Sequence, residues 1–263
     1  MDFKNKNIWI TGASAGIGAA LAMAFDKENA NLILSARNEK ALKKVVSDCT
    51  GTGKKLIVPL DVAKHDLIPG IAEQVQAQVG AIDVLINNAG ISQRGLVNET
   101  DLAVDKRIMD INYFGAIALT KAILPGMLAQ KSGSIIAMSS LTGKFGTALR
   151  STYAASKHAL HGFYDSLRCE VHKDNIHVML VCPGFIKTNI SINAVTADGS
   201  ATGKMDDAQN AGMLPSLLAQ KIMKAIKKRK EEAYFGGTEV LGIYVKRLFP
   251  KLFSRIIRNR KVT

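Results

Sequence analysis

Asn7-Ile-Trp-Ile-Thr-Gly-Ala-Ser-Ala-Gly-Ile-Gly-Ala-Ala-Leu-Ala-Met-Ala-Phe25 is the stretch that decides the fold. A short apolar run, Ile8 to Ile10, meets a turn holding Gly12, Gly16 and Gly18, and then enters a helical pattern over Ala19 to Glu28. The stretch is low in charge, but its glycines interrupt it, so it reads as strand, turn and helix and not as a membrane span. Glycine lets a backbone turn tightly and approach a ligand, while a helix N-terminus offers unpaired N–H groups and positive potential to a pyrophosphate. The competing reading of the same spacing is a helix packed closely through small residues.

The pattern repeats outward from there. Leu32 to Leu34, Leu56 to Leu60, Val84 to Ile86, Ser134 to Met138 and Val178 to Cys182 are further strand-like runs. Between them, Glu39 to Asp48, Ile71 to Val79, Ile117 to Ala129 and Tyr153 to Lys173 carry apolar residues at helical spacing with polar residues opposite. Strands alternating with helices of this length predict βαβ units and an α/β, doubly wound, Rossmann-type domain. With Ala233-Tyr-Phe-Gly as a last edge strand, its parallel sheet has about seven strands, covered by helices on both faces. No linker separates a second domain, so residues 1–263 read as one unit. Residues 188–212, rich in Asn, Ser, Thr, Gly and Asp, are expected to form a flexible, cleft-covering substrate loop. A helix restarts at Pro215, and a basic C-terminal helix is expected over 239–261.

Composition narrows the class further. A hydrophobic fraction of 47% with 22% charged residues is ordinary for a globular chain and suggests neither disorder nor a fibrous repeat. Cys49, Cys169 and Cys182 are too few and too scattered for a disulfide framework or a zinc knuckle. No metal site is expected, and a reducing, cytoplasmic setting is. The N-terminus leads directly into Ile8-Trp-Ile without the pattern of a secretory leader. Charge is uneven: Lys221 to Thr263 holds 13 Lys/Arg against Glu231, Glu232 and Glu239, a net of +10, whereas the first 220 residues hold only +3. Leu248, Phe249, Leu252, Phe253, Ile256 and Ile257 recur at helical spacing among Lys251, Arg255 and Arg258. Such a helix suits peripheral contact with an anionic membrane, closure of a substrate pocket, or an interface with a second subunit. The tail holds no recognised nucleic-acid-binding module, so no nucleic-acid partner is expected.

Ser151-Thr-Tyr-Ala-Ala-Ser-Lys157 places Tyr153 and Lys157 four apart, on one helix face. A free phenol titrates at about 10, and a neighbouring positive charge draws that value toward neutrality, where tyrosine serves as a general acid or base. The spacing alone also fits a helix whose lysine is merely solvated. Its company changes the reading. Thr11-Gly-Ala-Ser-Ala-Gly-Ile-Gly18, Asn87-Asn-Ala-Gly90, Asn112, Ser139-Ser140, the Tyr153/Lys157 pair and Pro183-Gly-Phe-Ile-Lys-Thr188 follow one another in an order that resembles the short-chain dehydrogenase/reductase family over residues 7–190.

The resemblance implies a catalytic set of Asn112, Ser140, Tyr153 and Lys157. Tyr153 would exchange a proton with the substrate oxygen, and Ser140 would hydrogen-bond that oxygen. Lys157 would lower the tyrosine's pKa and hold the nicotinamide ribose, and Asn112 would hold a water and Lys157 in a proton relay. Ser139 competes for the serine role, and the family interval of 13 residues before the tyrosine selects Ser140. Cofactor contacts are implied at Gly12, Ser14, Ala15, Gly16, Ile17 and Gly18 of the turn, at Asp61 and Val62, at Asn88, Ala89 and Gly90, and at Pro183, Gly184, Ile186 and Thr188. At the end of the second strand, Leu32-Ile-Leu-Ser-Ala-Arg-Asn38 has Ala36 where an acid would bind a ribose 2'-hydroxyl. Arg37 and Asn38 follow, and an arginine there accommodates a 2'-phosphate. NADP(H) is therefore the expected cofactor and NAD(H) the alternative, since Ala15 supplies no second basic residue.

The expected activity is hydride transfer between nicotinamide and a carbonyl or secondary alcohol on an apolar, steroid-, retinoid- or lipid-like small molecule. The alternative is a catalytically weak nucleotide-sensing or scaffold protein on the same fold. A homodimer or homotetramer is implied by relatives that pair the two long helices. Gln93, Arg94, Leu141 to Arg150 and the loop after Thr188 are the expected pocket-shaping residues.

Overall fold

A computed structural model describes residues 2–259. Its strands are β1 (Asn7–Thr11), β2 (Asn31–Ala36), β3 (Lys55–Pro59), β4 (Val84–Asn87), β5 (Gly133–Met138), β6 (Ile176–Pro183) and β7 (Glu232–Phe235). All pair in parallel in the order β3-β2-β1-β4-β5-β6-β7. The helices are α1 (Gly16–Asp26), α2 (Glu39–Ser47), α3 (Ile68–Val79), α4 (Leu102–Met109), α5 (Gly115–Gln130), α6 (Ser151–Glu170), α7 (Asp207–Asn210), α8 (Pro215–Lys227), α9 (Leu241–Leu248) and α10 (Pro250–Arg258).

Side-chain alternation along the strands splits the core into two layers. Ile8, Ile10, Leu32, Leu34, Val84 and Ile86 face one way, against Leu21 and Phe25 of α1, Leu42 of α2 and Leu218, Ile222 and Ile226 of α8. Trp9, Ile33, Leu85 and Ile135 face the other, against Ile68 and Val75 of α3, Leu119 and Ile123 of α5 and Leu160 and Tyr164 of α6. Burial on both faces is why the strands are continuously apolar, and it gives the doubly wound α/β architecture that the sequence predicts. Polar side chains in these layers bond one another: Trp9 Nε1 donates to Ser35 Oγ at 2.8 Å, and Asn87 Nδ2 donates to Thr120 Oγ1 at 2.9 Å and Tyr164 OH at 3.0 Å.

Three elements differ from the sequence expectation. α4 was not foreseen, and Asn112 lies not in a regular helix but in a π-helical turn, Asp110–Phe114, between α4 and α5. The stretch Leu102–Gln130 is thereby long and apolar enough to cross a membrane by length and composition; here its apolar side covers the sheet. The C-terminal segment expected as one helix is two, α9 and α10, meeting at Phe249 and Pro250. Proline lacks the N–H a helix interior needs, so α10 begins at it. Arg260 and Lys261, included in the expected helix, lie outside the described residues.

Candidate active site

The strand order reverses between β1 and β4, and the crevice outside their carboxyl ends is where a doubly wound sheet binds ligands. The glycine turn occupies this crevice. Gly12 and Gly16 have φ of 65° and 56°, in the left-handed region. A Cβ on Gly12 would stand 2.9 Å from Ala89 Cα, and one on Gly16 would stand 3.2 Å from Thr188 Cγ2. Thr11 ties the turn to β4, its Oγ1 accepting from Asn88 N at 3.0 Å and Ala89 N at 3.1 Å. Asn88 Nδ2 donates to Thr11 O at 2.9 Å and Gly12 O at 3.2 Å, so its side chain braces the turn.

Ala15, at the N-cap of α1, caps no first-turn N–H with its side chain, and that turn holds no acid. The donors and the open backbone fit a pyrophosphate. Ser14 and Ile17 lie in the same turn, and Gly18 is packed under Asn88 and the Gly12 carbonyl. Arg37 is exposed at the end of β2, beside Asn38, whose Oδ1 accepts from Ala41 N at 3.0 Å and so caps α2. Asp61 likewise turns inward on its own loop, accepting from Ala63 N at 3.1 Å, and the buried Val62 packs against Gly115.

Across the crevice, α6 presents Tyr153 and Lys157, both buried. Tyr153 shares the cavity lining with Ser140, whose Oγ donates to Pro183 O at 3.4 Å and accepts from Thr142 N at 3.2 Å. Burial pushes the Tyr153 phenol up, while the Ser140 hydroxyl, the charges of Arg150 and Arg94 and the Thr142 side chain pull the other way. Among the charges acting on the phenol, those two guanidinium groups weigh most. Lys157 Nζ sits 5.7 Å from the Tyr153 ring centroid and donates to Met138 O at 2.8 Å; burial lowers its own pKa to about 8. Asn112 lies on the far side of Gly90, where a Cβ would stand 3.2 Å from Asn112 Oδ1 and 3.5 Å from Lys157 Nζ. Its Oδ1 accepts from Ile91 N at 2.8 Å, and its Nδ2 donates to Ile91 O at 2.9 Å and Ser156 Oγ at 3.1 Å. The π-turn is what swings this side chain under the end of β4.

The two serines after β5 separate cleanly, as strand alternation requires. Ser140 faces Tyr153, whereas Ser139 Oγ donates to Lys157 O at 3.2 Å and lies 3.0 Å from His161 Nε2. His161, Cys182 and Glu232 converge behind Ser139, with the Glu232 carboxylate paired to Lys144 at 2.7 Å.

A cavity of about 320 Å³ opens above these groups. Ile17, Asn88, Gly90, Ser140, Tyr153, Lys157, Pro183, Gly184, Ile186 and Thr188 line it, which brings ten of the predicted site residues together; Gly12, Ser14, Ala15, Gly16, Gly18, Val62, Ala89 and Asn112 are not in the lining, nor are Arg37, Asn38 and Asp61. Its other wall is apolar: Phe145, Leu241, Val245, Phe253, Ile256 and Ile257, with the Phe145 and Phe253 rings 5.1 Å apart. Sequence reasoning missed how Gln93 serves here. It is fully buried, and its Oε1 accepts from Thr152 N at 2.9 Å and Tyr153 N at 3.1 Å, capping α6 at the turn that carries the tyrosine. Only a residue distant in sequence does this, because Arg150 at the N-cap offers no side-chain cap. Asp206, from the loop after Thr188, is ion-paired to both Arg94 and Arg150 and pins that loop over the cavity.

This is the crevice, glycine turn and Ser-Tyr-Lys arrangement of a nicotinamide-dependent oxidoreductase. The model of the short chain dehydrogenase family matches residues 6–198, and the chain belongs to that family. It is 42% identical, over 98% of its length and 82% of the relative's, to dehydrogenase/reductase SDR family member 7B of Bos taurus. It is 43% identical, over 97% of its length and 83% of the relative's, to dehydrogenase/reductase SDR family protein 7-like of Anopheles gambiae. Among solved structures, a short-chain dehydrogenase from Streptomyces avermitilis matches with a TM-score of 0.82 at 28% identity, covering 97% of this chain and 96% of that one. A short chain dehydrogenase/reductase from Burkholderia phymatum in complex with NAD shares the fold at a TM-score of 0.85 and 21% identity, covering 96% of each chain. An alcohol dehydrogenase from Thermococcus sibiricus complexed with 5-hydroxy-NADP does so at 0.77 and 22%, covering 88% of this chain and 96% of that one.

Proposed function

We propose that the protein is a carbonyl reductase or alcohol dehydrogenase that prefers NADP(H) and acts on an apolar small molecule. The observation that carries this reading is the pair of hydroxyl side chains, Ser140 and Tyr153, that line one cavity together with an apolar wall. A carbonyl oxygen placed between the two hydroxyls accepts from both. Tyr153 then passes its proton to that oxygen, while Ser140 keeps its hydrogen bond to the developing alkoxide. The nicotinamide, when bound, supplies or takes up the hydride. Lys157 and Asn112, flanking Gly90, hold the polar groups through which the tyrosine is reprotonated. Burial opposes ionisation of Tyr153, so the protonated phenol is its resting form, as a proton donor in reduction requires.

Cofactor preference rests on Arg37. It follows β2 without a neighbouring acid and is exposed, free to meet a 2'-phosphate. The two solved relatives that carry NAD and 5-hydroxy-NADP have the same fold, so the choice falls to such local residues. The reading is tested by screening apolar ketones and secondary alcohols with NADPH and NADH side by side, following nicotinamide absorbance. Faster turnover with NADPH is expected; faster turnover with NADH contradicts the role of Arg37, and turnover with neither contradicts the reaction.

A further inference from the structure

Thirteen large hydrophobic side chains are exposed among the described residues, and six of them, Leu241, Tyr244, Leu248, Phe249, Leu252 and Ile256, fall on α9, α10 and the single residue that joins them. Leu248, Phe249 and Leu241 are 68%, 61% and 60% exposed, in the range of surface charges and not of a packed helix. The same segment carries Lys246, Arg247, Lys251, Arg255 and Arg258, and no acidic residue from Val240 to Asn259. Among the described residues, Arg247, Lys251, Arg255 and Arg258 form no ion pair. On α10 the apolar arc is shared. Phe253 and Ile257 turn inward onto Phe145, whereas Leu252 and Ile256 stay outside, one turn apart, with Lys251 and Arg255 on their flank.

We infer that the outer face of α9 and α10 docks on a phospholipid surface that carries anionic headgroups. Bulky apolar side chains at the depth of the acyl boundary, edged by long basic side chains that reach back to the headgroups, are what interfacial helices present. A second copy of the chain is the poorer occupant. A two-fold contact places the same patch on itself, and this patch brings only positive charge to the pairing. The surface is also continuous with the cavity: Leu241 and Ile256 belong to both the exposed face and the cavity wall. The mouth of the cavity therefore opens where the bilayer would lie. In combination with the proposed reaction, on which this last step rests, an apolar substrate enters from the membrane without crossing water.

The test is co-sedimentation of the full chain with vesicles of phosphatidylcholine alone and of phosphatidylcholine mixed with phosphatidylglycerol. Light scattering of the lipid-free protein is measured alongside. Neither readout requires turnover, so failure here is distinct from failure of the proposed reaction. Binding to the anionic vesicles is expected, with little to the neutral ones and with release by added salt. Lys251→Glu/Arg255→Glu should weaken binding by roughly fivefold or more per residue, and Leu248→Ser/Phe249→Ser by on the order of tenfold. All four positions are exposed and outside the cavity lining, so both variants are expected to melt like the parent. Equal binding to neutral and anionic vesicles, no binding, or binding unmoved by either double variant overturns the inference. So does a lipid-free dimer that Leu248→Ser/Phe249→Ser dissociates.

Discussion

Tyr153 is buried where ionisation is opposed, and Ser140, Arg150, Arg94 and Thr142 are the groups that ease it most. The Tyr153 and Lys157 spacing was legible from the sequence because four residues on a helix share a face. The arginine pair was not, since Arg94 and Arg150 meet Asp206 across 112 and 56 positions of chain. Two further residues carry tests. Arg37→Ala removes the expected basic partner of a 2'-phosphate. The NADPH-to-NADH ratio of kcat/KM should fall roughly ten- to a hundredfold, the size of a charge-assisted hydrogen bond; steady-state kinetics with both cofactors checks it. His161 is held at about 4 by burial first and by Lys144 second, against an ordinary 6.5. Between these values the unfolded chain binds the extra proton, so this group's contribution to stability is complete above pH 6.5 and is lost as pH falls toward 4. His161→Gln should therefore flatten the decline of the urea midpoint over that interval, and an unchanged slope rejects the assignment.

At the scale of elements, the strands and the glycine turn were readable because their signals are local: continuous apolar runs buried on both faces and glycines where φ is positive. The π-turn at Asp110–Phe114 left no such signal, because its extra residue is accommodated by packing under β4 and not by any breaker in the sequence. The division between α9 and α10 did have one, Pro250, which the apolar period running across it conceals. Gln93 shows most clearly what local reading cannot reach, since it caps α6 from about sixty positions away in the chain. Gln93→Leu leaves the Thr152 and Tyr153 N–H groups without this acceptor, which costs about 1–3 kcal/mol where such donors stay buried. Thermal melting should show that loss, and kcat should drop about tenfold with cofactor affinity held. Gln93→Glu, which keeps an acceptor oxygen, should recover most of the rate. Equal damage by both substitutions would mean that Gln93 only fills space.

Over the whole molecule, the two ends of the chain do different work. The first six strands and their helices build the crevice of the family fold, while α9 and α10 close its apolar wall and share the excess positive charge with α8 and the residues after it. That asymmetry was visible in the sequence as a nearly neutral body and a basic tail, although only the structure shows which residues of the tail face inward. The account depends on Tyr153 being the proton donor at the meeting point of these two parts. Its most direct test is a single-turnover reduction by Tyr153→Phe, with NADPH affinity measured on the same protein by nicotinamide fluorescence. The phenol proton is then missing, whereas the glycine turn, Arg37 and Lys157 are untouched. The rate should fall at least about a hundredfold, with affinity for NADPH within a few-fold of the parent; a variant that reduces substrate at near the parental rate contradicts the account.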